Sequence, residues 1–239
     1  MIKEILLRII NFIYPITCCL CGKDLEAISQ YKVCDKCKES FSKIKGNICD
    51  KCGISLDSEE SLCYVCKKDL KAYSFDKLRA VYLYKGNLRK LVLKFKYSNR
   101  IFLYKDFAFE MSNLIKEYNF LRTADFIIPV PLNIFRRIKR GYNQAELLAQ
   151  EVSVNIGIPM LKNVLLRGKV TKPQFKLSKF ERKKNIQSSF TIKNKNTIKN
   201  KTILIVDDIA TTCSTVSVCA GVLKRSGAKN VYVLTLARD

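Results

Sequence analysis

Four Cys-x-x-Cys pairs crowd the first third of the chain: Cys18/Cys21, Cys34/Cys37, Cys49/Cys52 and Cys63/Cys66, separated by 12, 11 and 10 residues. Each such turn aims two thiolates at one point, and a second turn completes the tetrahedron that Zn²⁺ prefers. Four turns therefore predict two sites, each with four cysteine ligands. Sequential pairing, 18/21 with 34/37 and 49/52 with 63/66, is the simplest; the spacing also admits an interleaved arrangement. Cys19 does not fit the two-residue spacing and stays unassigned. Gly22 and Gly53, each directly after a pair, suit the tight turn of a zinc knuckle. All four positions at each site are filled, which points to structural zinc rather than catalytic zinc. The segment has little apolar mass of its own, so metal supplies much of its folding free energy, on the order of 10 kcal/mol per site. A thioredoxin-like redox role would need one pair beside a βαβ pattern, not four in series.

Of the 11 cysteines, nine lie between Cys18 and Cys66. Disulfides are the other use of such a cluster, but no leader with a cleavage site stands before it. A compartment that keeps thiols reduced is therefore expected. No apolar run approaches the roughly 18–20 residues that span a bilayer. Lys and Arg number 44 against 21 Asp and Glu, a formal net charge of +23. That excess favours polyanionic partners or phosphate-rich ligands and salt-sensitive association. Lysines on solvated faces account for part of it. There is no His, so any acid–base step must use carboxylates, Tyr, Lys or groups of the substrate.

A second constraint lies near the other end, in residues 202–215, TILIVDDIATTCST. Ile203 to Val206 form an unbroken apolar run too short for a helix, which reads as a strand buried on both faces of a parallel sheet. Asp207 and Asp208 follow at its carboxyl end, the edge where open α/β sheets bind ligands. The residues Ala210, Thr211, Thr212, Cys213, Ser214 and Thr215 then lead into a helical pattern, Val216 to Arg225. Hydroxyls and free N–H groups at a helix start suit a phosphate. Two acids one step upstream would repel that phosphate; they fit sugar hydroxyls, or the water shell of a bound Mg²⁺. A ribose 5-phosphate fits the stretch better than free phosphate does.

Between these two stretches the pattern divides the chain at residues 1–16, 17–70 and 71–239. Met1 to Tyr14 carries Ile2, Ile5, Leu6, Ile9, Ile10 and Ile13 at helical spacing and ends at Pro15. This helix is expected to pack on its own zinc module, and a membrane-surface or partner role is the alternative. After Lys67-Lys68, Leu78 to Tyr84 reads as a strand, while Leu88 to Tyr97 and Lys105 to Tyr118 read as helices. The cluster Lys94-Phe95-Lys96-Tyr97 either offers charge and stacking to single-stranded nucleic acid or is a solvated helix face with its aromatics turned inward. Asp125 to Val130 is a second buried strand. Behind it come Arg136, Arg137, Lys139 and Arg140, then Gly141-Tyr142-Asn143-Gln144 and a helix to Asn155, with Asn143 as its N-cap. Beside the carboxyl edge of the sheet these cations would face a polyphosphate. Residues 168–189 are mostly polar and read as a long loop, a lid or a surface excursion. Thr191 to Lys201 reads as a polar connector. Val231 to Leu236 is the last strand, completing a βαβ unit, with Cys219 a core residue on its helix.

Residues 202–215 resemble the PRPP-binding motif of type I phosphoribosyltransferases. The Cys pairs, the segments PVPL and RGYNQAELLA, the run Leu165-Leu166-Arg167, Thr171-Lys-Pro-Gln174, Glu181-Arg182 and the segment IVDDI together are similar, in order, to the ComF proteins of competence. The resemblance implies an α/β chain: a mostly parallel twisted sheet flanked by helices, preceded by a double zinc ribbon. It implies that Asp207 and Asp208 hold the ribose hydroxyls as catalytic residues and that residues 210–215 hold the 5-phosphate. Arg136, Arg137, Lys139 and Arg140 would assist a pyrophosphate bridged by Mg²⁺. Within the flexible loop, Thr171, Gln174, Glu181 and Arg182 would close over PRPP and exclude water. If the protein is catalytic, pyrophosphate leaves the anomeric carbon through an oxocarbenium-like state. Implied partners are PRPP, single-stranded DNA, and DNA-uptake machinery such as a helicase or membrane channel. The implied location is cytoplasmic, or peripheral at the inner face of the membrane. Where this chain has Cys213 the family usually has Gly, so either phosphate affinity is weaker or the loop is shaped differently. The alternative is a non-catalytic, basic, zinc-containing protein that binds single-stranded nucleic acid on a retained transferase scaffold.

Overall fold

The computed structural model describes residues 16–25, 32–168 and 190–239. The expected helix over Met1 to Tyr14, and the lid residues Thr171, Gln174, Glu181 and Arg182, lie outside these residues. The strands are β1 (Lys77–Leu83), β2 (Phe126–Pro129), β3 (Leu165–Arg167), β4 (Phe190–Ile192), β5 (Thr202–Ala210) and β6 (Asn230–Arg238). Four of them form one wholly parallel sheet in the order β1-β6-β5-β2, and β3 pairs with β4 in a separate antiparallel ribbon. The continuous apolar run of β5 is explained by two cores, one on each face. Leu204 and Val206 pack into one of them with Leu234 and Leu236 of β6. Ile203 and Ile205 pack into the other with Val231 and Val233. Alternate residues of a strand face opposite sides, so both sets must be apolar.

The helices are α1 (Asp35–Glu39), α2 (Tyr64–Lys68), α3 (Gly86–Tyr97), α4 (Leu103–Glu117), α5 (Asn119–Arg122), α6 (Ile134–Arg140), α7 (Gln144–Ile156) and α8 (Ser214–Arg225). Apolar stripes of α3, α4 and α7 cover the first face of the sheet, through Leu91, Phe95, Phe107, Met111, Leu148 and Val152. On the second face α8 contributes Val216, Cys219, Ala220 and Leu223. Asn143 caps α7 as expected, its Oδ1 accepting from Ala145 N at 3.2 Å. Among the described residues no helix is long and apolar enough to cross a membrane.

Two segments differ from the sequence reading. The stretch expected to be a polar connector contains the end of β4 and a 3₁₀ turn, Lys195–Ile198. Its two isoleucines account for this: Ile198 is fully buried in the second core, and Ile192 packs against that core. The basic run after Asp125 to Val130 is the helix α6, capped by Asn133 Oδ1 accepting from Phe135 N at 3.0 Å. No residue of α6 is buried, and its apolar Ile134, Phe135 and Ile138 are exposed.

The cysteine pairs combine sequentially. The Sγ atoms of Cys18, Cys21, Cys34 and Cys37 lie within 4.8 Å of one another, as do those of Cys49, Cys52, Cys63 and Cys66. Cys21–Cys34 and Cys52–Cys63 sulfurs are each 3.7 Å apart. Zn–S bonds of about 2.3 Å in a tetrahedron require S···S edges of about 3.8 Å, so both clusters fit zinc and the interleaved arrangement is excluded. Burial raises the Cys18 thiol, but N–H groups of Cys21, Cys34 and Leu20 outweigh it and bring it down to about 6, suited to metal ligation. Cys19 stands outside the ligand group; its carbonyl accepts from Lys94 Nζ of α3 at 2.6 Å.

Both metal modules are docked on the sheet and its helices. Leu83 N donates to Ser42 O and Ile44 N to Val81 O, at 2.8 and 2.9 Å. The chain between the two sites thereby covers the outer edge of β1, which would otherwise offer open backbone groups. The second knuckle reaches the same strand, with Leu78 N donating to Lys51 O at 2.9 Å. There Gly53 has φ +65°, and a Cβ would lie 2.5 Å from Leu78 O; Gly22, at φ +76°, has nothing within 4 Å of its Cβ position. Alanine at Gly22 is expected to cost about 1 kcal/mol for the left-handed backbone alone. Alanine at Gly53 must also push the knuckle off β1 and should cost roughly 3 kcal/mol or more. Chemical denaturation of the two zinc-loaded variants checks this, and equal losses would contradict it.

Candidate functional site

Strand β5 outruns one neighbour. Its pairing with β2 ends at Val206 opposite Pro129, while its pairing with β6 continues to Ala210 opposite Arg238. From Asp207 onward the β2 side is open, because the chain leaves β2 at Val130 and turns through Pro131 and Leu132 into α6. A cleft of about 290 Å³ lies there, bounded by those turn residues, Asp207, Asp208, Thr211 and Thr215. It sits at the carboxyl edge of the parallel sheet, where this class of fold places ligands.

Asp207 and Asp208 both line the cleft, although successive strand residues point to opposite faces. Asp207 Oδ1 accepts from Asp208 N at 2.9 Å. Burial, and then the neighbouring Asp208 charge, push the Asp207 carboxyl up to about 8; Lys96 and Arg167 pull it partly back. Asp208 meets Lys96 Nζ at 2.9 Å, with both side chains mostly buried. An acid whose charged form is disfavoured, beside one paired with a lysine, can accept from hydroxyls.

The predicted phosphate residues form a loop around a small cavity of about 40 Å³, lined by Asp207 and by residues 209–216. Thr212 Oγ1 and Ser214 Oγ are 2.8 Å apart, and Ser214 N donates to Thr212 Oγ1 at 3.4 Å. Cys213, the cap residue of α8, has φ +57° and ψ +5°. The cysteine thus adopts a left-handed conformation that glycine would take freely, at a strain of about 1–2 kcal/mol. Its side chain turns inward, only 2% exposed.

Of the four predicted cations, Arg136 and Arg140 line the cleft. Arg137 faces a neighbouring groove and lies 3.8 Å from Glu146. Lys139 is exposed and outside the cleft. Residues 140–144 form a clasp around α3. Arg140 donates to Tyr97 Oη at 2.7 Å and to Gln144 Oε1 at 3.0 Å. Tyr142 Oη donates to Phe95 O, and Asn143 Nδ2 donates to Val130 O at 3.0 Å. The clasp delivers Lys96, which the sequence reading had left within an ambiguous basic cluster. That cluster divides: Phe95 is fully buried, Tyr97 is 61% exposed, and Lys96 enters the cleft.

Arg167 and Gln144 were not anticipated as site residues. Arg167 ends β3, lines the cleft and lies over the Phe190 ring at 5.1 Å. Its position directly before the expected lid was the available signal. Gln144 is 1% exposed. Gln144 Nε2 and Arg167 Nε are buried with no hydrogen-bond partner among the described residues. Unsatisfied donors are rare in interiors; a third, Arg79 Nε, lies outside the cleft. The site therefore presents cations and N–H donors around a pair of acids.

Comparison with known proteins agrees with this architecture. Residues 9–70 match the double zinc ribbon domain and residues 111–239 match the phosphoribosyl transferase domain. Competence protein F of Haemophilus influenzae is 32% identical over 232 residues, 95% of this chain and 99% of that protein. The DNA utilization protein YhgH of Shigella flexneri is 30% identical over 94% of this chain and 97% of its own length. Competence protein ComFC of Bacillus subtilis is 29% identical over 87% of this chain and 85% of its own. With both domains matched in order and a relative aligned nearly end to end, the chain belongs to the ComF family of competence proteins, a double zinc ribbon joined to a phosphoribosyltransferase domain.

Proposed function

We propose that this protein binds PRPP together with Mg²⁺ in the cleft at the end of β5. The observation that carries this reading is the convergence, in one cavity, of paired acids, a hydroxyl-lined loop and cations from three further elements. Asp207 and Asp208 accept from the ribose hydroxyls, and residues 210–215 surround the 5-phosphate. Arg136, Arg140 and Arg167 face the pyrophosphate, and Lys96 balances Asp208. Mg²⁺, when bound with the ligand, would neutralise pyrophosphate charge. If the cleft is catalytic, these cations stabilise the departing pyrophosphate, a charge-stabilising route that needs no histidine.

The names of the relatives, competence and DNA utilization, support a part in handling single-stranded DNA. The surface beside the cleft suits that ligand. Phe135 is 75% and Tyr97 61% exposed, and the Arg140 guanidinium lies 4.7 Å from the Tyr97 ring centre. Aromatic faces interleaved with cations bind single strands by stacking and charge. The same observation supports the second reading, a non-catalytic nucleic-acid-binding protein on a transferase scaffold.

Calorimetric titration with PRPP and Mg²⁺ is expected to show saturable binding that falls at least tenfold in the double variant Asp207→Ala/Asp208→Ala. Equal binding by both proteins would remove the assignment. Steep salt-dependent binding of an oligodeoxynucleotide that PRPP leaves unchanged would favour the second reading instead.

A pH dependence also follows. The Asp207 carboxyl is raised from 3.8 to about 8 in the folded chain. The folded state therefore keeps a proton that the unfolded chain releases above pH 4, and this group's contribution is lost as pH rises from about 4 to 8. Asp207→Asn removes that loss. Its stability relative to the wild type should be roughly 3 kcal/mol more favourable at pH 8 than at pH 5, measured by urea denaturation. A difference that does not change between the two pH values would refute the assignment.

A further inference from the structure

The cleft accounts for the acids and the cations around them, but not for Arg238 near the end of β6. This side chain is only 4% exposed, although arginine resists burial unless its donors are satisfied. Its Nη1 donates to Ala210 O at 3.0 Å and also to Thr211 O. Its Nε donates to Cys52 O at 3.4 Å. Ala210 and Thr211 open the phosphate loop, while Cys52 belongs to the second metal cluster. One guanidinium therefore joins the two.

The direction of those carbonyls matters. In a trans peptide the C=O and the following N–H point opposite ways. Holding the Ala210 and Thr211 carbonyls on Arg238 turns the N–H groups of Thr211 and Thr212 to the face away from it. Successive N–H groups so presented form an anion-binding concavity. One further contact brings the second ribbon to the helix that this loop opens. The linker leaving the ribbon stacks Tyr73 on Phe75, ring centres 5.1 Å apart, and its Ser74 N donates to Ser217 Oγ of α8 at 3.0 Å. The first ribbon meets other elements: Cys19 O accepts from Lys94 of α3, and Lys32 N donates to Asp106 of α4 at 3.0 Å.

We propose that Arg238 is a positioning residue through which the second metal knuckle sets the N–H groups of the anion loop. Loss of metal at the second site, but not at the first, then slackens residues 210–213. The consequence for ligand affinity rests on the PRPP reading above; the coupling between knuckle and loop does not.

Hydrogen–deuterium exchange of the zinc-loaded full chain tests the coupling, with PRPP and Mg²⁺ titration alongside. Peptides covering residues 207–216 should exchange at least tenfold faster in Arg238→Met and in Cys63→Ser, while strand residues 126–129 keep their protection. Cys34→Ser should leave residues 207–216 as in the wild type. Arg238→Lys, which keeps the charge but not the planar fork, should fall between. PRPP affinity should drop at least tenfold in Arg238→Met and Cys63→Ser. If Cys63→Ser also loses protection at residues 126–129, the two Arg238 variants, which alter no metal ligand, decide alone. Unchanged exchange at 207–216 in Arg238→Met overturns the proposal, and so does equal loosening in Cys34→Ser. A wild type that binds no PRPP but shows the predicted exchange pattern would remove the PRPP reading and leave the positioning role standing.

Discussion

The site depends on a mismatch in strand pairing. β5 and β6 stay hydrogen-bonded through Ala210 and Arg238, but β2 releases β5 after Val206. Had β2 continued, Asp207 and Asp208 would lie in a closed sheet with their backbone groups fully used. Val130 N still donates to Val206 O at 2.9 Å, and Pro131 follows at once. The groups of the next rung are taken by side chains instead: Val130 O accepts from Asn143 Nδ2 and Asp208 N donates to Asp207 Oδ1. The free side of β5 then becomes the floor of a cleft, and the turn out of β2 becomes its wall.

The electrostatics of that floor follow from the same geometry. Two carboxylates side by side in a partly buried crevice would repel one another strongly. The chain answers with Lys96, Arg136, Arg140 and Arg167, contributed by α3, α6 and β3. Only Lys96 forms an ion pair with either acid among the described residues. The other three remain oriented on the cleft, Arg140 by Tyr97 and Gln144 and Arg167 by the Phe190 ring. The array thus holds more cations than its two acids need, which is the feature the PRPP proposal draws on.

What the sequence disclosed and what it did not divide along one line. The cysteine pairs, the β5 strand with its two acids, and the Asn143 cap are local patterns, legible because their partners lie a few residues away. Lys96 and Arg167 reach the cleft only through tertiary contacts with residues far along the chain, and only the place of Arg167 before the expected lid points to that. The helix α6 is only seven residues long and four of them are cations, so Ile134, Phe135 and Ile138, all exposed, are outweighed by the charge run. Thr191 to Lys201 misled in the opposite sense: two isoleucines in a polar string suffice when a strand and a core are waiting for them. Arg137 and Lys139 shared one charge run with Arg136 and Arg140. Helical rotation sends the first pair elsewhere and the second to the cleft.

The metal modules acquire a structural logic from these contacts. A four-stranded parallel sheet leaves β1 as an exposed edge, and the chain between the two clusters closes it through Ser42 and Ile44. Each module then fastens a different wall of the cleft. The first receives Lys94, two residues from Lys96, on the carbonyl of Cys19. The second meets the loop after β5 through Arg238, which also bonds Cys52 O. A loop that keeps a cysteine in the left-handed region carries strain, and strained conformations persist only where their surroundings over-determine them. Arg238, which holds the carbonyls of Ala210 and Thr211, and the buried core around the Cys213 side chain supply that surrounding.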